Sequence, residues 1–321
     1  LLPRAHRRFI EWVSDYTMAP LGSVLKMTLN TPAALQPPKA TTGYRIAAAF
    51  SDKHSLSPKQ KAVIDVLSDG IVRRASEISE KAGVTSGVLK TMVKNNVLET
   101  TPIYSAAPCR YPQTKLKSFE LSEAQALASG HMCEAVKANR YETILLDGVT
   151  GAGKTETYFE AVSAALDDGK QALILLPEIA LSNAFIDRFK AHFGCRPALW
   201  HSSLTPAQRR NTWLGVAKGE TKVVIGARSA LFLPFQELGL IIVDEEHDPA
   251  YKQEDGVIYH ARDMAVVRAH IGNIPVVLVS ATPSLETIMN TWDGRYTHLT
   301  LPDRFSGARL PDIHLIDMRH D

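Results

Sequence analysis

No run of apolar residues in this sequence approaches the ~18 uncharged positions that a bilayer-spanning helix needs, so a helical membrane span is excluded. The front carries no basic-then-apolar leader of the secretory kind. Cysteine is scarce. Cys109, Cys133 and Cys195 lie far apart with no CxxC pair, which argues against a disulfide scaffold or a cysteine-based zinc site within this chain. Such usage implies a reducing cytoplasm. Internal repeats and low-complexity tracts are missing as well. The first residue is Leu1 rather than Met, which suggests a piece or a processed product of a longer protein.

What remains is 321 residues with 45% hydrophobic and 22% charged side chains, an ordinary globular balance that can bury a sizeable core. At ~150 residues per domain the length suggests about two domains. The net charge of +2 hides a division: residues 1–117 hold 17 Lys and Arg against 8 Asp and Glu, and residues 118–321 hold 19 against 26. A basic front beside an acidic back suggests that the front meets a polyanion; a solvated lysine-rich surface is the plainer alternative.

Pro32, Pro37 and Pro38 break the chain near residue 36. The stretch before them is helical in period, with Phe9, Ile10, Val13 and Tyr16 apolar, and is too short to form a domain alone. A new unit begins at Ser57, which can cap a helix with Pro58 in its first position and run to Gly70. RRASEISEKAG predicts a second helix ending at Gly83, and GVLKTMVKNN, capped by Thr85 or Ser86, a third, followed by the strand-like VLETTPIYS. That order is the order of a winged helix, whose third helix would expose Lys90 and Lys94 to DNA. A protein-docking or spacer role for the same unit stays open.

A linker from Pro102 to Lys117 leads into the acidic half. There, short apolar runs (TILLDG, QALILLPE, PALWHS, KVVIGARSALF, LGLIIVDEEH, IPVVLVSAT) alternate with helical patterns. This alternation predicts βαβ units and a parallel sheet covered on both faces.

Gly148-Val149-Thr150-Gly151-Ala152-Gly153-Lys154-Thr155 fits GxxxxGK[ST] between a strand and a helix. Glycines let backbone N–H groups curl around phosphates, and the helix start adds oriented donors. Lys154 would reach the β- and γ-phosphates, and Thr155 would hold Mg²⁺. Glu156 follows in the first helical turn. The strand LGLIIV delivers Asp244 for the Mg²⁺ shell and Glu245 to orient and deprotonate the attacking water, with Glu246 and His247 completing DEEH. Ser280, Ala281 and Thr282 end a further strand, where an open parallel sheet places ligands, and could couple the carboxylates to movement.

These segments resemble superfamily 2 helicases. The P-loop, LLPEIAL (175–181), GARSALFLP (226–234, with Arg228), DEEH and SAT follow that family's motif order. Gln125 is placed like the glutamine that reads adenine in such enzymes. Within the superfamily, GVTGAGKTETY, LLPEIAL, DEEHDPAYKQEDGVIYHARDMAV and SATPSLET resemble the bacterial primosomal replication-restart helicases over essentially the whole chain.

The resemblance implies that Lys154, Thr155, Asp244 and Glu245 bind and hydrolyse MgATP. It also implies that Glu246, His247, Ser280 and Thr282 couple the site to motion. Arg228, Tyr251, Lys252, Tyr259, His260 and Arg262 would form a DNA-sensing surface, since aromatics stack on bases and cations meet phosphates. Partly buried packing of Tyr259 and His260 ahead of a helix is the alternative. One departure is that Val257 and Ile258, rather than an aromatic, follow Gly256.

The implied fold is α/β: a RecA-like P-loop helicase lobe over 118–321, a winged helix with linker over 37–117, and over 1–36 the tail of a domain that binds DNA 3′-ends. The implied activity is 3′-to-5′ DNA unwinding at stalled or branched forks, leading to primosome assembly. Forked and single-stranded DNA, single-stranded-DNA-binding protein and primosome proteins would be partners of a monomer. The family's second lobe, with its ATP-completing arginine, and its zinc-binding cysteines are not among these residues. A transition-state arginine can be worth ~10³–10⁵ in rate, so the chain would hold nucleotide and turn it over poorly. Two rivals remain: a different superfamily 2 translocase, and a docking module with a structural P-loop.

Overall fold

The computed structural model describes residues 2–36, 40–48, 50, 56–103, 106–114, 116 and 120–304. Pro37, Pro38 and Lys117, used above to place the linkers, lie outside the described residues. The chain forms two compact units, one made of Leu1–Ala34 with Ala107–Asp321 and the other of Leu35–Ala106.

The larger unit therefore begins at the front of the chain. Helix α1 (Arg4–Thr17) turns Phe9, Ile10 and Val13 inward, and α2 (Leu21–Thr28) follows. Tyr16, expected on the apolar face, is 63% exposed and stacks on Trp12. The Phe9 ring meets Phe232 at 5.4 Å, and Trp213 Nε1 donates to the Thr28 carbonyl at 2.8 Å. Residues 2–34 thus share the core of the unit that carries the P-loop, because their apolar stripe finds its partners there and not in a separate body.

The smaller unit contains β1 (Thr41–Ile46), α3 (Pro58–Leu67), β2 (Arg73–Arg74), α4 (Ala75–Ala82), α5 (Ser86–Lys94) and β3 (Leu98–Ile103). Its antiparallel sheet has the order β2-β1-β3. Ser57 and Gln60 form a reciprocal capping box ahead of Pro58, and Gly83 closes α4 at φ +63. Val63, Leu67, Ile78, Leu89 and Met92 make the core. Two features differ from the sequence reading. Arg73 and Arg74 leave the second helix to pair with β1, and β1 itself was not anticipated. Its residues carry little apolar alternation, and Gly43 is needed because a Cβ there would lie 2.3 Å from Ile103 Cδ1.

The rest of the larger unit runs α6 (Glu123–Lys137), β4 (Glu142–Gly148), α7 (Lys154–Asp167), β5 (Gln171–Leu175), α8 (Asn183–Phe193), β6 (Ala198–Trp200), α9 (Pro206–Ala217), β7 (Val223–Gly226) and β8 (Leu238–Asp244). After these come β9 (Lys252–Gln253), β10 (Tyr259–His260), α10 (Ala261–Gly272), β11 (Pro275–Ser280), α11 (Leu285–Trp292) and β12 (Thr297–Leu301). Seven strands form one parallel sheet in the order β12-β4-β11-β8-β5-β7-β6. Strands β5, β7 and β11 are buried at every residue, as a sheet covered on both faces requires. The expected α/β architecture is present, with β12 added at one edge. Among the described residues no helix is long and apolar enough to cross a membrane.

Candidate nucleotide site and its connections

The P-loop lies between β4 and α7, and its glycines are conformationally required. Gly151 and Gly153 hold φ of +84 and +77, and a Cβ on Gly153 would stand 2.3 Å from Gln125 Nε2. The strand ends of β4 and β8 then bring Lys154, Asp244 and Glu245 together around a cavity of about 400 Å³, also lined by Gln125, Thr150–Glu156 and Arg188. Lys154 Nζ folds back to donate to the Gly148 carbonyl at 2.7 Å. Burial pulls its ammonium below the ordinary lysine range, while Glu245, Asp244 and Asp147 oppose that shift.

Asp244 is 7% exposed, and burial pushes its carboxyl up to about 6, reinforced by Glu245 and opposed by the Tyr158 hydrogen bond. Tyr158 donates to Oδ2 at 2.9 Å, and the Glu245 amide donates to Oδ1 at 3.0 Å. Tyr251 donates to the Asp244 carbonyl at 2.5 Å and so props the strand end from below. Among the described residues no three His, Cys, Asp or Glu side chains form a metal cage. Mg²⁺ is suited instead by one or two oxygen ligands plus phosphates, the donor set that Asp244 and Thr155 offer beside the phosphate cradle.

Gln125 lines the cavity, but both ends of its amide are engaged. Oε1 accepts the Ser122 amide at 2.9 Å, and Nε2 donates to the Ala152 carbonyl at 2.7 Å, tying the cap of α6 to the P-loop. Glu156 pairs with Arg188 at 3.3 Å. Arg188 and Tyr158 were not anticipated. Tyr158 had a legible signal, since it lies one helical turn beyond Lys154; a lone arginine on an amphipathic helix such as α8 had none.

Of the four residues expected to couple the site to motion, His247, Ser280 and Thr282 lie together, and Glu246 lies apart. His247 Nδ1 lies 2.7 Å from Ser280 Oγ and 3.7 Å from Glu245 Oε2, and the Thr282 amide donates to Ser280 Oγ at 3.0 Å. Glu246 is fully buried and ion-paired to Arg262 Nη1 at 3.1 Å.

The side chains expected to form a DNA-sensing surface lie in different environments. Strands β9 and β10 pair as a short hairpin, with Lys252 exposed on it. Tyr251 and Tyr259 are buried at 1% and 3% exposure, so neither ring can stack on a base in this arrangement. Tyr259 packs edge-on to Phe232 at 5.4 Å, which is the packing alternative. His260 is half-buried, and burial lowers its imidazole pKa. Arg262 serves Glu246 and Asp263, and Arg228 Nη1 donates to the Ala250 and Lys252 carbonyls at 3.0 and 2.7 Å. Lys90 and Lys94 are exposed on α5 of the smaller unit.

Residues 125–291 match the DEAD/DEAH box helicase family. The chain is 49% identical to the Replication restart protein PriA of Rickettsia felis over 62% of this chain and 30% of that protein. It is 37% identical to the Replication restart protein PriA of Chlamydia pneumoniae over 99% of this chain and 44% of that protein. The chain thus spans less than half the length of these relatives. Among solved structures, the Hef helicase domain of Pyrococcus furiosus aligns with a TM-score of 0.41 and 18% identity, covering 57% of this chain and 38% of that one.

Proposed function

The chain belongs to the DEAD/DEAH box helicase family, and from that premise we propose that it is the MgATP-binding lobe and DNA-binding front of a replication-restart DNA helicase. The observation that carries this reading is the convergence of Lys154, Asp244 and Glu245 on one cavity beneath a glycine-built phosphate cradle. Lys154 would exchange its bond to the Gly148 carbonyl for the β- and γ-phosphates. Thr155 and Asp244 would hold Mg²⁺, whose charge offsets that of the phosphates. Glu245 would orient the attacking water and take its proton. Glu156 would lie at the edge of the same cradle.

Translocation from 3′ to 5′, preference for forked over duplex DNA, primosome assembly, and contacts with single-stranded-DNA-binding protein belong to this proposal. The relatives' printed name supports a part in replication restart; the finer points rest on the motif resemblance. In the smaller unit, three helices with an antiparallel sheet support a winged-helix reading in which Lys90 and Lys94 meet phosphates. Residues 1–36 would be the tail of a 3′-end-binding domain docked on the lobe, and the working protein a cytoplasmic monomer. Zinc would enter only through parts outside these residues.

The test is titration with a fluorescent ATP analogue in Mg²⁺. Lys154→Ala should weaken binding by at least ~10-fold, the scale of one lost charge-assisted contact. Unchanged affinity would favour a docking module with a structural P-loop.

A further inference from the structure

Three carboxylates in a row end β8, and the third faces away from the first two. Asp244 and Glu245 line the nucleotide cavity, whereas Glu246 is fully buried elsewhere. The reversal has a local cause: Glu245 holds φ +51, in the left-handed region, and the next amide is fixed by donating to the Val279 carbonyl at 3.0 Å.

The Glu246 carboxylate then collects four donors. Oε1 accepts the Ser284 amide at 2.7 Å. Oε2 accepts the hydroxyls of Ser284 and Thr287 at 3.1 and 3.0 Å and Arg262 Nη1 at 3.1 Å. Ser284 is the N-cap of α11 and Thr287 lies in its first turn, so a carboxylate at a helix N-terminus meets both the free amides and the positive end of the helix dipole.

Besides these bonds, α11 packs on the core through the half-buried Ile288. Thr287 is its only buried residue, and Leu285, Met289 and Trp292 are 80%, 50% and 74% exposed. An element with so few buried contacts sits at the low-stability end of a fold and follows its anchor.

We propose that Glu246, with Arg262 as its buried counter-ion, is a positioning residue that ties the nucleotide-facing pair Asp244–Glu245 to the N-terminus of α11, so that nucleotide binding changes the order of that helix. The proposal rests on the nucleotide-site reading above. Because residues 244–246 are consecutive, a backbone adjustment that brings the first two onto a metal–phosphate group must move the third. Its four donors then carry that movement into α11. Arg262, expected on DNA, is assigned here to an internal ion pair.

The experiment is hydrogen–deuterium exchange of the chain with and without MgATPγS, read in peptides covering 284–292, alongside nucleotide affinity. In the parent, nucleotide should change exchange at the α11 amides several-fold. Glu246→Gln keeps an acceptor and removes the charge; Thr287→Val removes one donor isosterically. Both should keep nucleotide affinity within a few-fold, with the α11 response lost in the first and diminished in the second. If Glu246→Gln does not fold, Thr287→Val decides. A full response in the folded variants, or none in a parent that binds nucleotide, overturns the proposal. A parent that binds no nucleotide brings down the site reading, and this inference with it.

Discussion

Replacing Asp244 with asparagine should stabilise the nucleotide-free protein while destroying its response to MgATP. Burial raises the Asp244 carboxyl to about 6, against an ordinary aspartate near ~3.9, and at ~1.36 kcal/mol per tenfold the native state holds the ionised form at a cost of about 3 kcal/mol. The sign follows from proton uptake. Between ~3.9 and about 6 the native state binds more protons than the unfolded chain, so this group's contribution to stability grows as pH falls through 6 and is absent above ~7.

Asparagine removes the charge but disturbs the Tyr158 hydrogen bond to Oδ2, 2.9 Å in the parent, a loss of about 1 kcal/mol. The net gain at pH 8 is then about 2 kcal/mol. At pH 5 the parent is already largely protonated at this site and recovers about 1 kcal/mol, so the gain shrinks to about 1 kcal/mol. Urea unfolding followed by tryptophan fluorescence is the assay, because Trp12, Trp200, Trp213 and Trp292 all lie in the larger unit and report on it alone. An asparagine variant less stable than the parent at pH 8, or one with equal gains at both pH values, would refute the reasoning. Saturating MgATP at ~100 times Kd should add about 2.7 kcal/mol to the parent and almost nothing to the variant.

Two further outcomes are expected. Glu245→Gln should bind MgATP normally and abolish hydrolysis in the full-length enzyme; normal turnover in a phosphate-release assay would remove Glu245 from the proton-accepting role. Charge reversal at Lys90 and Lys94 should weaken binding to labelled forked DNA and flatten its salt dependence, by about one slope unit per lost phosphate contact. Unchanged fluorescence anisotropy curves would assign α5 to packing or protein docking.

The placement of the candidate nucleotide site was legible because its signals are local. A P-loop is a contiguous string whose spacing is dictated by phosphate geometry, and DEEH follows its own strand directly. The smaller unit's helices announced themselves through Ser57, Pro58 and Gly83, residues whose capping role depends only on near neighbours. What escaped depends on distant partners. Strand β1 exists by pairing with β3, more than fifty residues away. The burial of Tyr251, Tyr259 and Arg262 follows from groups on β8, on α11 and around Phe232, and a hairpin rich in Tyr, Lys, His and Arg reads the same whether those side chains face DNA or the core. Gln125 looks like a base reader in sequence, and only three dimensions reveal that its amide also ties Ser122 to Ala152 while it lines the cavity.

The docking of α1 on the P-loop unit also sets a timetable for synthesis. Phe9 completes its surroundings with Phe232 and with the Arg268 guanidinium over its ring. These residues leave the ribosome more than two hundred positions after it, which at ~5–20 residues per second is a wait of roughly 10–50 s. During that interval α1 has α2 to lie against, through contacts such as His6 Nε2 with Thr28 Oγ1 at 3.0 Å, but not the Phe232 and Arg268 side chains that cover Phe9. Over that interval the apolar face of α1 is only partly covered. An apolar stripe waiting for partners in this way is a place where a chaperone would hold the growing chain.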